Sequence, residues 1–523
     1  MRLICHVSDE RFAALADVAC EFDDGATVTL LRSAPSGAVY GDLPAGRYRV
    51  TLARDGFGAK RSEVVVAAAG PAEPAHLRLL SERPAGYVWP KWTTSGGTGS
   101  VRVHSPEPYR LTLVRHGADA EEVRLLGWFD EHGPRATVQV TPDGDYTPSG
   151  VGWAQQVAVT APERAGLHYV HLETASGARF SFPWVVAPAA PTSSIAVLAS
   201  TNSWLAYNNF GGRSNYINAA ELPERPIVHA RTDLDRYRTG TSTEHSPPDE
   251  RYRPLSFERP EPLNQIGIDE HPTDPIRGRQ PCHLAAAEWR LLAWMEREGF
   301  AHDLYAEAQL HDSTLDLDHY RVLVISTHPE YWSRQMYDAV YAWVHERGGK
   351  LMYLGGNGVD CEVEFLDDAT LRFRTQDEEP GGPHENRMHR SHRPTSGLLG
   401  VVFTHAGEGT AAPYRVVDPE HWAFAGTGFA AGDVFGVESL HERIPGGASG
   451  HETDKRAPSS PPSTHLLATG MNPDGGGAEI VHLTAESGGG EVFSVGSITW
   501  SACVLVDKGV ADVTRNVLRR FAS

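Results

Sequence analysis

Residues 320–333 constrain the fold more than any other segment of the chain. The segment begins with an apolar, β-branched run at residues 322–325, which is typical of a strand buried on both faces of a parallel sheet. Pro329 cannot donate a hydrogen bond to a neighbouring strand, so we expect the strand to end there. Ser333 precedes a helical pattern at residues 335–347 and is a favourable N-cap residue. The segment therefore predicts a strand that leads directly into a helix.

His328 and Glu330 lie where this predicted strand ends. In open α/β sheets, ligands bind at the carboxyl ends of the strands, so an imidazole and a carboxylate at this position are candidates for a functional site. The two residues are two positions apart, which places their side chains on the same face of an extended chain. The alternative interpretation is a polar loop in which both residues only support the start of the helix.

The size and charge of the chain limit the class of protein. A chain of 523 residues is too long for one hydrophobic core, which predicts roughly two to four domains. The composition, with 40% hydrophobic and 22% charged residues, is ordinary for a globular protein. The formal net charge of -20 argues against a nucleic-acid partner, because phosphates would be repelled by such a surface.

The sequence also predicts a cytoplasmic location and no membrane association. The first residues contain no long apolar run of the kind found in signal peptides, and no run approaches the length of a membrane-spanning helix. The 5 cysteines are widely spaced and form no Cys-x-x-Cys pair, so a zinc site built on cysteines is not expected. Reduced thiols in a cytoplasm are the simplest interpretation.

Two β-rich regions are predicted to precede the main domain. Residues 1–80 resemble a small β-sandwich accessory module, in which apolar and polar residues alternate at residues 47–52. Residues 81–188 contain several alternating segments, among them residues 136–140, and predict a second β-sandwich. Three tryptophans of this second region either line a sugar-binding face or fill the sandwich core: Trp128, Trp153 and Trp184.

From residue 194 onward the pattern changes to alternating strands and helices. A segment rich in Pro, Ala and Ser at residues 187–194 marks the boundary. We expect residues 194–523 to form an α/β domain with a doubly wound, mostly parallel sheet, similar to glutamine amidotransferase-like folds. Two long polar insertions, at residues 209–280 and 361–480, interrupt this domain, and insertions of that length are often functional.

Tyr207 follows the first predicted strand of this domain, so it would lie at the same sheet edge as His328 and Glu330. A phenolate beside a carboxylate provides two hard oxygen ligands, which suit a hard ion such as ferric iron better than zinc or copper. The alternative is a core tyrosine with a buried ring and a paired hydroxyl. The usual nucleophile signatures, such as Gly-x-Ser-x-Gly and His-Glu-x-x-His, are missing from the chain.

Five short motifs occur in a fixed order across residues 190–523. They are Trp204-Leu-Ala-Tyr-Asn-Asn-Phe-Gly-Gly-Arg-Ser, His328-Pro-Glu-Tyr-Trp-Ser, Gly349-Lys-Leu-Met-Tyr-Leu-Gly-Gly-Asn-Gly, Gly450-His-Glu-Thr-Asp and Val495-Gly-Ser-Ile-Thr-Trp. Together they resemble the large (beta) subunit of N,N-dimethylformamidase. The resemblance implies a mononuclear ferric amidohydrolase, whose iron is held by two tyrosine phenolates and one glutamate.

The resemblance assigns roles to five residues of this chain. Tyr207 corresponds to the first tyrosine ligand and Glu330 to the glutamate ligand. His328 corresponds to a histidine beside the metal, and Asn357 and Glu452 correspond to pocket residues. In the implied reaction, the ferric ion activates the amide carbonyl and a water molecule. His328 or Glu452 accepts the proton of that water and returns it to the leaving amine, and Asn357 donates a hydrogen bond to the oxyanion.

The second tyrosine ligand has no direct counterpart in the sequence, because the aligned position falls near Pro248. One alternative is that Tyr252 replaces it after a local shift. Another is that His245 or Glu244 supplies a different ligand. If none of them does, the chain is a non-catalytic or carbohydrate-binding protein that kept the fold and lost the metal.

A third interpretation is a sugar-active enzyme that uses Glu330 with Glu452 as paired carboxylates. The preferred prediction is a ferric hydrolase acting on the C–N bond of a small linear amide. We also expect a homo-oligomer and a separate small subunit as partners.

Overall fold

The structure of the protein, a computed structural model, describes residues 2–68, 73–130, 139–228, 247–376, 384–486 and 488–523. Residues 136–138 of one predicted strand lie outside these ranges, as do His245 and Glu244. The sheets, helices and contacts of the protein are those of the described residues.

The first β-rich region contains the strands β1 (Arg2–Ser8), β2 (Ala19–Asp23), β3 (Val28–Arg32), β4 (Ala38–Gly41), β5 (Gly46–Arg54), β6 (Gly58–Val66) and β7 (Ala75–Arg78). They form two sheets, in the orders β4-β1-β7 and β3-β2-β5-β6. In β5, Tyr48, Val50 and Leu52 are buried and belong to one apolar cluster, whereas Arg47 and Arg49 are exposed. This alternation was predicted, and it follows from the two-residue period of a strand.

The second β-rich region contains the strands β8 (Ala85–Trp89), β9 (Trp92–Thr94), β10 (Thr98–His104), β11 (Tyr109–His116), β12 (Ala120–Phe129), β13 (Gln155–Thr160), β14 (Gly166–Thr174) and β15 (Arg179–Ala187). They form two sheets, in the orders β13-β10-β8 and β12-β11-β14-β15-β9. Residues of both sheets share one apolar cluster, as expected for a sandwich. Trp153 and Trp184 are buried, which supports a core role, and Trp128 is exposed.

The remaining strands are β16 (Ile195–Ala199), β17 (Leu255–Ser256), β18 (Asp303–Ala306), β19 (Val322–Thr327), β20 (Tyr331–Trp332), β21 (Lys350–Gly355), β22 (Cys361–Asp367), β23 (Thr370–Arg374), β24 (Val402–Thr404), β25 (Ala411–Ala412), β26 (Tyr414–Val416), β27 (Val434–Phe435), β28 (Ser449–Gly450), β29 (Thr453–Lys455), β30 (Thr464–Gly470), β31 (Glu479–Thr484) and β32 (Glu491–Ser494). The helices are α1 (Thr201–Tyr207), α2 (Ala285–Arg297), α3 (Glu307–His311), α4 (Arg334–Arg347), α5 (Arg387–Ser391), α6 (Ser396–Leu399), α7 (Trp500–Cys503) and α8 (Lys508–Ala522).

A nine-stranded sheet organises this third region, in the order β18-β16-β19-β21-β32-β31-β30-β26-β27. The neighbouring strands from β18 to β32 pair in parallel, and those from β32 to β27 pair antiparallel. The prediction of a mostly parallel sheet is therefore wrong for half of it. The antiparallel half arises because β30, β31 and β32 are joined by connections too short for a helical crossover. A glutamine amidotransferase-like fold stays a prediction.

Helices cover both faces of the parallel half of the sheet. In β19, Val322 and Val324 belong to one apolar cluster, which also contains α2 and α8 residues. Leu323 and Ile325 belong to a second cluster, which contains residues of α4. The continuous apolar run of β19 is thus explained by burial on both faces, as the sequence predicts.

The end of β19 follows the predicted course. The strand ends at Thr327, just before the predicted breaker Pro329, and α4 begins after Ser333. The Ser333 hydroxyl accepts a hydrogen bond from the Met336 N–H, which confirms the predicted N-cap. Between the two elements, β20 pairs with β22 and so fixes the loop that carries His328 and Glu330.

The second β-rich region and the nine-stranded sheet share apolar packing. Leu167, Tyr169 and Val185 belong to the same cluster as Ile195 and Val197 of β16. The predicted domain boundaries stay predictions. In the part of the chain that the structure describes, no helix is both long and apolar enough to span a membrane.

Candidate active site

The candidate site lies at the carboxyl ends of the parallel strands. The loop after β19 places the Nε2 atom of His328 2.8 Å from the Oε2 atom of Glu330. The Ser203 hydroxyl on α1 fixes this loop, because it donates to the His328 carbonyl at 2.6 Å and accepts from the Glu330 N–H at 3.3 Å. The two side chains that the sequence placed on one face are therefore in direct contact.

Tyr207 reaches the same place from the end of α1. The helix follows β16, and β16 pairs in parallel with β19, so both strands deliver their following residues to one edge. The Tyr207 hydroxyl lies 3.1 Å from Nε2 of His328 and 3.5 Å from Oε2 of Glu330. The structure thus brings together three candidate residues that belong to two separate sequence motifs.

Tyr216 completes this cluster, although the sequence analysis did not select it. Its hydroxyl lies 2.9 Å from the Tyr207 hydroxyl and 2.9 Å from Oε2 of Glu330, and it also contacts the hydroxyl of Tyr331. Tyr216 is partly buried and lies in an irregular segment after α1, where no periodicity predicts which side chains face the interior. The one available signal was its position at the end of the polar stretch that begins at Thr201.

Tyr252, the predicted replacement for the second tyrosine, is buried directly after a short 3-10 helix, Asp249–Arg251. Its backbone N–H donates to the carbonyl of Asp249 at 3.2 Å. The Tyr216 phenol contacts both Tyr207 and Glu330. His245 and Glu244 lie outside the described residues, so their part in the site stays a prediction.

Asn357 and Glu452 form the next layer of the site. The Asn357 amide donates to Oε2 of Glu452 at 2.9 Å, and the same carboxylate oxygen lies 3.8 Å from Nε2 of His328. The backbone N–H of Asn357 donates to Asp454, which also accepts a hydrogen bond from the Tyr353 hydroxyl at 2.6 Å. Asp454 belongs to the motif that supplied Glu452, but no sequence pattern predicted a role for it.

The charged forms of His328 and Glu330 stabilise each other although both side chains are buried. Burial alone would lower the pKa of His328, but the Glu452 and Glu330 carboxylates outweigh it and raise that pKa to about 9. Burial opposes ionisation of Glu330, but the adjacent His328 imidazole holds its pKa below the usual value. Burial also raises the pKa of Asp454 to about 7. The His328–Glu330 pair is therefore an ionic pair held inside the protein.

Three non-glycine residues with positive φ surround the site. Thr327, Asn357 and His451 have φ values of 63°, 49° and 69°. Such conformations cost free energy and persist only where the surrounding structure enforces them. Gly356 lies beside them, and a Cβ atom there would meet the Glu452 carbonyl at 2.4 Å. The glycine-rich turn after β21 is therefore explained by close backbone packing.

The oxygen atoms of Tyr207, Tyr216 and Glu330 fit a hard metal ion. Oxygen ligands that share one ion at about 2.1 Å are separated by roughly 2.8 to 3.5 Å. The three oxygens are separated by 2.9, 2.9 and 3.5 Å. Two phenols and one carboxylate also match the chemistry that ferric iron prefers. The residues present are thus compatible with the iron that the family resemblance implies.

A second acidic group near the site has a different explanation. Glu330, Asp360 and Cys361 have ligand atoms within 4.8 Å of one another. The Arg387 guanidinium donates to Asp360 and already supplies the positive charge there. We therefore interpret Asp360 as the ion-pair partner of Arg387, close to Glu330, and not as a metal ligand.

Most side chains of the site are buried. His328, Glu330, Tyr207, Asn357 and Glu452 have exposed fractions of 0% to 7%, and Tyr216 is partly buried. A cavity of about 880 Å³ elsewhere in the protein is lined by other residues, among them Glu10, His104, Trp153, Phe210 and Leu263.

The fold and the site define a class of protein: a multidomain, β-rich chain with a buried centre of phenol, carboxylate and imidazole groups. A sequence model of the family described as N,N-dimethylformamidase beta subunit-like, C-terminal, matches residues 110–511. The chain belongs to this family, which confirms the resemblance predicted from its motifs.

Two relatives give the scale of the similarity. The N,N-dimethylformamidase beta subunit of Paracoccus aminophilus is 26% identical over 437 residues, which cover 71% of this chain and 54% of that protein. The N,N-dimethylformamidase beta subunit of Alcaligenes sp. is 26% identical over 394 residues, which cover 63% and 49%. The chain thus spans about half the length of the curated relatives it matches.

Two solved structures that match this chain show distant similarity. The β-galactosidase of Bacillus circulans sp. alkalophilus matches with a TM-score of 0.27 and 10% identity, over 44% of this chain and 27% of that chain. The β-galactosidase of Rahnella sp. R3 has the same TM-score, with 12% identity over 45% of this chain and 27% of that chain. Scores of this size do not show a common fold, so they support no sugar-directed activity.

Proposed function

We propose that this protein is a ferric-iron-dependent amidohydrolase that cleaves the C–N bond of a small linear amide, such as a formamide. The observation that carries the proposal is the cluster of Tyr207, Tyr216 and Glu330 oxygens in direct contact with His328. The names of the two relatives support the same reaction. The burial of the site supports a small substrate.

Tyr207, Tyr216 and Glu330 would hold the ion through their oxygen atoms, and Tyr252 remains the alternative for the second phenol. When bound, a ferric ion supplies Lewis-acid activation of the amide carbonyl and of the attacking water. The short separations among the three oxygens mean that the chain presents these ligands together, with little rearrangement needed on binding.

His328 is the residue placed to move protons. Its Nδ1 atom lies 3.1 Å from the Gly356 carbonyl, which fixes the ring and leaves Nε2 directed at the reacting side. Nε2 contacts Glu330 and faces Glu452 at 3.8 Å, and these carboxylates keep the His328 imidazole protonated. We expect Glu452 to accept the proton of the water and the His328 imidazolium to donate a proton to the leaving amine.

Asn357 is placed to stabilise negative charge on the carbonyl oxygen of the substrate. Its amide group is held by Glu452 and its backbone by Asp454, so the side chain is fixed before substrate binds. A preorganised donor of this kind lowers the barrier because no reorganisation is needed as charge develops.

The relatives are named beta subunits, so we propose that the chain works with a separate small subunit and as a homo-oligomer. A cytoplasmic location remains part of the proposal. The rival function is a non-catalytic member of the family that kept the fold and lost the metal.

The test is to purify the full chain, reconstitute it with ferric iron, and measure iron content, visible absorption and hydrolysis of a panel of small formamides. We expect close to one iron per chain and a tyrosinate-to-iron charge-transfer band. Amine release should occur either from the chain alone or after the small subunit is added. A colourless protein that retains no iron after reconstitution would establish the non-catalytic alternative.

A further inference from the structure

We propose that Cys282, His283 and His451 form a second metal site, which takes a borderline or soft cation such as Zn²⁺. The ligand atoms of the three residues lie within 4.8 Å of one another, and all three residues are buried. The Sγ atom of Cys282 is 3.9 Å from Nδ1 of His283, and the rings of His283 and His451 are 5.0 Å apart. The proposed amide hydrolysis uses none of these three side chains.

Fixed backbone segments present the ligands from two sides. Cys282 and His283 belong to the 3-10 helix Pro281–His283, which leads directly into α2. His451 follows β28 and has a φ of 69°, a conformation that non-glycine residues rarely adopt. Its N–H donates to the carbonyl of Thr410 at 3.0 Å, which holds this conformation in place. The histidine is therefore kept in its position against a conformational cost.

The ligand set determines the kind of ion. One thiolate and two imidazoles are ligands for zinc and for softer ions, whereas magnesium and calcium prefer oxygen. Three protein ligands leave one tetrahedral position open, as in zinc sites that bind water or a substrate. The set differs from the oxygen atoms of Tyr207, Tyr216 and Glu330, so the two sites would select different metals.

The surroundings of Cys282 favour an ion that forms a strong bond to sulfur. Burial raises the pKa of the Cys282 thiol to about 12, and the thiol donates to the carbonyl of Arg279 at 2.7 Å. Binding of the cation would release this proton to solvent and leave a metal-bound thiolate. The positive charges of Arg443, Arg290 and Arg279 stabilise a thiolate but oppose a cation. An ion that does not bind sulfur would therefore gain too little binding free energy to offset the repulsion from these arginines.

The second site would form part of the wall of the candidate active site. The centroid of the His283 ring lies 4.5 Å from the centroid of the Tyr207 ring and 5.1 Å from that of the His328 ring. On its other side, His451 packs against His441 at 5.3 Å. A cation bound to His283 would therefore lie close to the ring of Tyr207, which carries the first phenol. The inference itself does not depend on iron binding or on amide hydrolysis.

The test uses the full chain, stripped of metal by dialysis against a chelator and then titrated with Zn²⁺ or with Co²⁺ as a spectroscopic probe. We expect one zinc per chain and a thiolate-to-cobalt charge-transfer band in the near ultraviolet. Cys282→Ser should remove the band and weaken zinc binding at least about 100-fold, because losing a ligand costs more than losing an outer partner. His451→Asn is the second variant, because asparagine tolerates the positive φ.

Cys503→Ser is the matched control, since Cys503 is also a buried thiol but belongs to no cluster of metal-ligand atoms in the described ranges. It should bind zinc and cobalt like the wild type. Glu330→Ala should keep the thiolate-to-cobalt band, which separates this site from the proposed iron site. The inference is overturned if the wild type shows no thiolate band, or if Cys282→Ser and His451→Asn bind zinc with unchanged affinity.

Discussion

The hydroxyl of Tyr216 lies 2.9 Å from the Oε2 atom of Glu330. This contact joins an irregular segment after α1 to the loop that follows β19. The Tyr207 hydroxyl is the third oxygen of the group and lies 2.9 Å from the Tyr216 hydroxyl and 3.5 Å from Glu330. The family resemblance implies a second tyrosine at a position that aligns near Pro248, and the nearest tyrosine of this chain is Tyr252. The structure offers Tyr216 instead, from an earlier part of the same predicted insertion. This relationship leads to the first prediction.

We expect Tyr216→Phe to remove the second phenolate from the iron site. The variant should bind iron more weakly and show a shifted or much weaker tyrosinate-to-iron band, because the spectrum depends on the phenolate ligands. Tyr207→Phe should have a similar effect, and the double variant should show no such band. Iron content and visible absorption, measured after the same reconstitution, check this prediction.

Tyr252→Phe is the matched comparison, because it removes the phenol that the sequence analysis preferred. We expect it to retain both the iron and the band. If Tyr252→Phe bleaches the band and Tyr216→Phe leaves it intact, then Tyr252 is the second ligand. In that case the contact between Tyr216 and Glu330 only supports the site.

The second prediction separates the roles of His328 and Glu330. Glu330→Ala should abolish iron binding and activity together, because the site loses its carboxylate ligand. His328→Ala should keep most of the iron but reduce turnover by about 10² to 10⁴, as expected for the loss of a proton-transfer group. Iron content and amide hydrolysis are measured in parallel for both variants. Loss of iron in His328→Ala as complete as in Glu330→Ala would make His328 a ligand.

Local patterns were sufficient to predict the part of the fold that carries the site. The run at β19, the Ser333 cap and the extent of α4 follow from burial and from helix capping, which are encoded over a few neighbouring residues. The antiparallel half of the sheet was not predicted. Most of its strands lie within residues 361–480, which are rich in polar residues and glycine, and pairing there depends on distant partners.

The site was predictable only where a residue follows a regular element. Tyr207, His328 and Glu330 come directly after strands or at a helix end, so sheet topology brings them together. Tyr216 lies in an irregular segment and Cys282 in a single short 3-10 helix, and the course of both is set by tertiary packing. The pairing of Cys282 with His451 joins residues far apart in the chain, and cysteine spacing alone had argued against a zinc site.

The third prediction concerns a buried ion pair between the second β-rich region and the segment before α2. The Nζ atom of Lys91 lies 3.1 Å from Oε1 of Glu261, and the two side chains are 2% and 1% exposed. Lys91→Met should destabilise the protein by about 3 to 5 kcal/mol, because it leaves the Glu261 carboxylate buried without its partner. Thermal or denaturant unfolding of purified variants measures this loss.

The control is the double variant Lys91→Met/Glu261→Gln, which removes both charges. It should recover most of the lost stability, because a neutral pair avoids the uncompensated charge. If the double variant is as unstable as Lys91→Met, the loss comes from packing of the lysine stem.

The same pair, with the shared cluster around Tyr169, leads us to expect that removal of residues 1–190 leaves the remaining chain insoluble.

Glu288 on α2 provides the last prediction, because its carboxylate is buried behind the helix that carries Tyr207. Trp204 donates to it through Nε1 at 2.9 Å, and the Ser200 N–H donates at 3.2 Å. Burial outweighs these hydrogen bonds and raises the pKa of Glu288 to about 7 from a usual value of 4.5. Glu298, at the end of the same helix, is paired with Arg515, which lowers its pKa.

Between pH 4.5 and about 7, the folded state keeps the Glu288 proton that the unfolded state has lost. Stability contributed by this group therefore falls as pH rises through that window, by up to roughly 3 kcal/mol. Glu288→Gln removes the titration, so the melting temperature of the variant relative to wild type should rise from pH 4.5 to pH 7. Glu298→Gln should do the opposite at lower pH, because its ion pair with Arg515 stabilises the fold above the unfolded pKa of 4.5 and this stability is lost as pH falls below that value. Calorimetric melting temperatures across roughly pH 3 to 8 check both expectations. Parallel curves for Glu288→Gln and wild type would show that Glu288 is already ionised in the folded protein at pH 5.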